Sequence, residues 1–96
     1  MKLFIDTSNN KKTIVRLDSI EVVKQYQTPR SQEVLSLIEE ALKKKKAKLE
    51  DIKEIKVNTG PGSFTGLRVG VTVANTLAWV LGIKVNGKER VYPKYR

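Results

Sequence analysis

The stretch "NTGPGSFTGLRVG", residues 58–70, constrains this chain more than any other, because four glycines and a proline fall between an apolar-alternating run and a long apolar segment. Glycines at that density serve either a loop that holds an anion or a joint where two pieces of backbone pack closely. A Walker A loop needs Lys then Ser or Thr after its last glycine, and Gly66 is followed by Leu67. A dinucleotide fingerprint needs a third glycine where Thr65 stands after Gly60 and Gly62. Anion binding at the helix N-terminus and a structural strand-to-helix turn both remain open from the residues.

The spacing predicts a helix from Ser63 to Leu81, stopped by Gly82 in a left-handed cap. Gly66, Gly70, Ala74 and Ala78 recur every four residues and make a stripe of low bulk, which suits close packing against a neighbouring helix. Leu67, Val71, Leu77 and Leu81 border that stripe, and Val69, Val73 and Val80 form a second apolar side. A narrow strip of Arg68, Thr72, Asn75, Thr76 and Trp79 is left over, with the composition of an interface anchor.

Upstream, Leu3–Ile5 reads as a mid-sheet strand buried on both faces, followed by the polar turn Asp6-Thr7-Ser8-Asn9-Asn10. Thr13–Leu17 and Ile20–Gln27, joined by Asp18-Ser19, complete an antiparallel meander. A helix begins at Thr28-Pro29 or is capped by Ser31, with Val34, Leu35, Ile38, Leu42 and Leu49 on one side. After Ile52, Ile55–Val57 is a strand. Past Gly82, Ile83-Lys84-Val85 reads as a last strand, Asn86-Gly87 as a hairpin turn before Arg90-Val91-Tyr92, and Pro93 onward as a loose tail. The expectation is an α/β fold in the order βββαβαβ, a mixed five-stranded sheet with two main helices over residues 1–87, then a basic tail over 88–96.

Composition narrows the chemistry. The 96 residues include no Cys and no His, which removes thiol nucleophiles, Ser-His triads and the common zinc ligand sets. Nineteen Lys and Arg against ten Asp and Glu give a formal charge of +9, which suits nucleic acid or an acidic protein partner. The run Lys43–Lys46 is equally a helix C-terminus complementing its dipole. No apolar leader follows Met1-Lys2 and no uncharged stretch is long enough to cross a bilayer, so a cytoplasmic location without membrane contact is expected.

The segment "NTGPGSFTGLRVGVTVANTLAWVLGI" resembles the signature of the TsaB (YeaZ) family, proteins required to make threonylcarbamoyladenosine on tRNA. "LFIDTS" resembles that family's first strand and loop, and "SQEVLSLIEEAL" with "LEDIKEIKV" its first helix and next strand, so the likeness runs from about Leu3 to Ile83. It implies one actin-like ATPase (RNase H-like) lobe of a family whose members carry two. Arg30 stands where the family often has His, which leaves any role tied to that His without its residue.

The resemblance further implies a non-catalytic subunit with no cofactor and no metal. Its partner would be a TsaD-like transferase, with a TsaE-like ATPase in the larger complex and tRNA reached through that complex. The two helices would form the contact and could also support a homodimer. The residues carried over to that interface are Val34, Leu37, Ile38, Ala41, Gly66, Arg68, Gly70, Thr72, Asn75 and Trp79. Asp6, Thr7 and Ser8 fall where actin-like ATPases place a phosphate loop, without its usual glycine, and so read as a degenerate loop or an Asx turn. The rival readings are a small basic RNA-binding module, through Lys43–Lys46 and the tail, and a degenerate nucleotide-binding domain.

Overall fold

The computed structural model of the chain describes residues 1–9, 11–25 and 31–94. The expected helix start at Thr28-Pro29, the end of the third strand at Tyr26-Gln27, Asn10, Arg30 and the last two residues lie outside them, as does the side chain of Ser31. Three strands, β1 (Lys2–Asp6), β2 (Lys12–Leu17) and β3 (Ile20–Gln25), precede helix α1 (Ser31–Lys45). Strand β4 (Glu54–Val57) and helix α2 (Phe64–Leu81) follow. The sheet has four strands in the order β3-β2-β1-β4. The meander is antiparallel and β4 joins β1 in parallel, the geometry a crossover through α1 produces.

Register decides which side chains enter the core. Leu3 faces Leu17 and Ile55, and Ile5 faces Val15 and Val57, so these six share one face and all are buried. Both helices cover that face, α1 over β2 and β3 and α2 over β1 and β4. The expectation that β1 is buried on both faces is corrected. Phe4 on the opposite face is only half-buried, beneath the Arg16 guanidinium 4.9 Å from its ring centre. With helices on one side only, alternation replaces a continuous apolar strand.

Helix α1 buries Val34, Leu37, Ile38, Ala41 and Leu42, whereas Leu35, expected on the same side, is 43% exposed. Adjacent residues sit 100° apart on a helix, and Leu35 falls off the stripe that Val34 and Ile38 define. The helix ends in Lys43, Lys44 and Lys45, of which Lys44 pairs with Glu40 and Lys45 with Asp18. Asp18 occupies the left-handed region, φ 54°, in the tight turn between β2 and β3. Its carboxylate also accepts the Lys2 amide at 3.0 Å, so one side chain ties the hairpin to β1 and to α1.

The fifth strand is reduced to a single parallel bridge between Ile55 and Val85. Beyond it, the Asn86 side chain takes the place of the next strand residue. Its amide oxygen accepts the Val57 N–H at 2.9 Å and its amide nitrogen donates to the Val57 carbonyl at 3.0 Å. Asn86 and Gly87, with φ of 52° and 74°, make the expected tight turn, closed by two hydrogen bonds between Val85 and Lys88. The chain then runs back along α2 as far as the described residues extend. Val91 is buried in the core, and the Lys94 amide donates to the Thr59 carbonyl.

Candidate partner interface

The glycine segment is a joint, and its counterpart is the end of β1. Gly66 and Gly70 face Thr7: a Cβ on Gly66 would lie 2.1 Å from the Thr7 carbonyl oxygen, and one on Gly70 would lie 2.2 Å from Thr7 Oγ1. Real side chains do not occupy such distances, so the small stripe exists for this approach. The Thr7 hydroxyl, fully buried, donates to the Gly66 carbonyl. The Ser63 amide donates to the Ser8 carbonyl at 2.8 Å, and Ser63 Oγ caps the Gly66 amide. The expected approach of another helix at Gly66 and Gly70 is thereby replaced by an approach of the loop after β1.

Asp6, Thr7 and Ser8 are consumed by the same joint. Asp6 Oδ1 accepts from the Ser8 amide at 2.9 Å, the Ser8 hydroxyl at 2.7 Å and the Asn58 side chain at 3.2 Å. That arrangement is an Asx turn. The groups with which an actin-like loop would meet phosphate therefore have partners within the chain. Among the described residues no three metal-ligating side chains converge.

Helix α2 begins at the Ser63 cap and ends at Gly82, whose φ of 66° is the left-handed cap the sequence predicts. Its length of 18 residues and its apolar composition would suffice to cross a bilayer. Its inward side, however, is committed to the sheet, with Leu67, Val71, Ala74, Leu77 and Ala78 buried, and it is the core helix of this fold.

The ten residues assigned to a partner interface separate by burial. Val34, Leu37, Ile38, Ala41, Gly66 and Gly70 are buried within the chain itself. Hydrophobic periodicity selects core and interface alike, and α1 and α2 spend these positions on the sheet and on each other. Asn75 is half-buried and bonded within the chain: its Nδ2 donates to the Val91 carbonyl at 2.8 Å and its Oδ1 accepts the Val91 amide at 3.0 Å. It fastens the returning C-terminal segment.

Arg68, Thr72 and Trp79 remain on the surface. With Thr65 and Thr76 they form one outward stripe at helical spacing, and Trp79 is 83% exposed. Val80, also exposed, flanks Trp79, while Phe64 lies 5.4 Å beneath the Arg68 guanidinium. Between the stripe and the returning segment lies a groove lined by Asn75, Thr76, Trp79, Glu89 and Arg90. Sequence reasoning had no signal for the groove, because its second wall depends on the Asn75 clamp.

Comparison with known proteins agrees with this architecture. A family model described as "TsaD: tRNA N6-adenosine threonylcarbamoyltransferase" matches residues 24–87. The tRNA threonylcarbamoyladenosine biosynthesis protein TsaB of Bacillus subtilis is 38% identical over 88 residues, 88% of this chain and 38% of that protein. An uncharacterized protein of Mycoplasma pneumoniae is 41% identical over 81 residues, 78% of this chain and 41% of the relative. The chain thus spans about two fifths of the length of these relatives. Among solved structures, YeaZ from Pseudomonas aeruginosa superposes with a TM-score of 0.70 at 26% identity, covering 88% of this chain and 41% of that one. Since the family model covers well over half of the sequence, the chain belongs to the TsaD family as that model defines it, as a partial TsaB/YeaZ-type member.

Proposed function

We propose that the chain is a non-catalytic subunit in the threonylcarbamoyladenosine modification of tRNA, and that it docks on a TsaD-like transferase through the outward stripe of α2. The observation that carries this reading is Trp79, a large aromatic side chain 83% exposed beside Arg68 and hydrogen-bonding threonines on a helix whose other side is rigidly packed. An exposed Trp anchored on a fixed helix is the residue type that dominates interface energetics, and it gains the most when a partner removes it from water.

Such a subunit acts by contacting some conformations of its partner more favourably than others, which requires surface complementarity and no catalytic group. The absence of His and Cys from the sequence is compatible with that role. A TsaE-like ATPase would join the larger complex. When the transferase is absent, two copies of the chain would pair through the same stripe, because exposed apolar surface of this kind self-associates when unpartnered. The cytoplasm, where tRNA is modified, is the compartment this reading implies.

The test is titration calorimetry of the chain against the TsaD-like transferase of the same organism. The reading expects a saturable complex at micromolar concentrations, weakened about 30-fold by Trp79→Ala, which corresponds to a hot spot of about 2 kcal/mol. No binding by the unmodified chain at those concentrations would sink it.

A further inference from the structure

The segment after Asn86 has a surface that the partner-docking role does not use, and it lies beyond the residues the family model matches, 24–87. Lys88, Arg90, Tyr92 and Lys94 alternate with Glu89, Val91 and Pro93. Val91 is drawn into the core and fixed by both hydrogen bonds of Asn75, and the Lys94 amide is held by Thr59. In an extended chain, side chains two apart point the same way. Anchoring Val91 inward therefore turns its neighbours outward. A groove of about 520 Å³ is lined by Lys88, Arg90, Tyr92 and Lys94 together with Thr59, Asn86, Val91 and Pro93, and by no carboxylate among the described residues.

We infer that this groove is a binding site for single-stranded RNA. Among the described residues none of Lys88, Arg90 and Lys94 is held in an ion pair, so each cation is available to a phosphate. Tyr92 is 67% exposed and offers a face on which a base can stack, placed between two of the cations in the chain. Cations spaced along a backbone track with an aromatic platform between them are the elements of sequence-tolerant single-strand recognition. The run Lys43–Lys46 is a poorer candidate, because Lys44 and Lys45 are already paired with Glu40 and Asp18 and no aromatic residue lies among them.

An acidic protein segment would satisfy the cations but would make no use of Tyr92 as a stacking platform. The two classes of partner are therefore separable by experiment. The site adjoins the docking stripe on α2, since Arg90 also lines the groove beside Trp79, but the two proposals are tested with different ligands: a chain that binds RNA but no transferase, or the reverse, refutes one proposal and leaves the other standing.

The test is fluorescence anisotropy of a labelled ten-nucleotide uridine oligomer with the whole chain, across a salt series. Neutralising three phosphates on a single strand predicts a slope of log affinity against log salt of about −2. Arg90→Ser with Lys94→Ser is expected to weaken binding at least 10-fold at low salt and to reduce that slope by about 1.4. Tyr92→Ala should weaken it by about 5-fold or more while leaving the slope unchanged, the mark of a lost stack and not a lost charge. Lys43→Ser with Lys46→Ser removes the same charge elsewhere and is expected to change affinity less than twofold. Unchanged circular dichroism melts show that the variants are folded. Equal losses from the two charge pairs, no effect of Tyr92→Ala, or binding of a glutamate oligomer as tight as that of the RNA would each overturn the inference.

Discussion

The two sides of helix α2 are built from opposite materials. Inward, Gly66 and Gly70 have given up side chains so that Thr7 can approach, and the contact includes a buried hydrogen bond from the Thr7 hydroxyl to the helix backbone. Outward, Arg68, Thr72, Thr76 and Trp79 carry long or polar side chains into solvent. Small residues in a helix cost stability by propensity, about 1 kcal/mol for each glycine relative to alanine, so two glycines on one face must return that energy through packing. An exposed Trp returns nothing to the isolated fold. The inward side is thus a matter of stability and the outward side a matter of binding, and substitutions on the two sides should separate cleanly.

The largest expected effect is inward. Gly70→Leu places a bulky side chain where a Cβ would already lie 2.2 Å from Thr7 Oγ1 and 3.3 Å from Thr7 Cβ and Cγ2. Overpacking of a tight site costs about 1–3 kcal/mol and more when backbone must move, a large fraction of the stability of a 96-residue domain. Chemical denaturation should show an unfolded or severely destabilised protein. Leu67→Ala, which empties a fully buried site, is expected to cost about 2–5 kcal/mol in the same assay.

Asn75→Ala tests the boundary between the two sides, since it removes both hydrogen bonds to Val91 without touching the glycine joint. A loss of about 1–2 kcal/mol is expected, together with faster amide exchange at Val91 and Lys94 and no change at Thr7. Exchange that speeds up throughout α2 would show that the returning segment is part of the joint and not an attachment to it.

Outward, Trp79→Ala should leave the unfolding free energy within about 0.5 kcal/mol of the unmodified chain. A larger loss would mean that Trp79 packs in solution and would blur the contrast.

The smallest effect concerns acid. The hydrogen bond from the Lys2 amide, then the bond and charge of Lys45, hold the Asp18 carboxyl below its ordinary value. A folded-state value below the unfolded one stabilises the fold above the unfolded pKa, and that contribution is lost as pH falls through the folded value. Asp18→Asn, which keeps an acceptor for the Lys2 amide and tolerates the positive φ but lacks the charge facing Lys45, should therefore be slightly less stable than the unmodified chain at neutral pH, with the difference vanishing as pH falls below about 4.

Much of this architecture is legible in the sequence because it rests on local signals. Ser63 and Gly82 mark the ends of α2, Asn86-Gly87 marks a tight turn, and short apolar or β-branched runs bounded by polar turns mark the four strands. What escapes is carried by side chains that imitate backbone. Asn86 completes the edge of β4 in place of a fifth strand, and Asn75 pairs with Val91 as a strand residue would, fastening the returning segment to α2. Neither has a periodic signature. The candidate site was half legible: Arg68, Thr72 and Trp79 stand out as a polar and aromatic strip on an apolar helix, but the small-residue stripe points to close packing without saying against what. Its counterpart is Thr7, and a single buried threonine after a strand gives no sign of that role.

Trp79 is the only tryptophan in the chain, so fluorotryptophan labelling yields a single 19F resonance that reports on the outward side of α2 alone. Its shift, followed while the TsaD-like transferase is added, tests the central claim directly. A solvent-exposed resonance in the free chain that moves and broadens in step with complex formation is expected. A complex that forms while this resonance keeps its free position would contradict it.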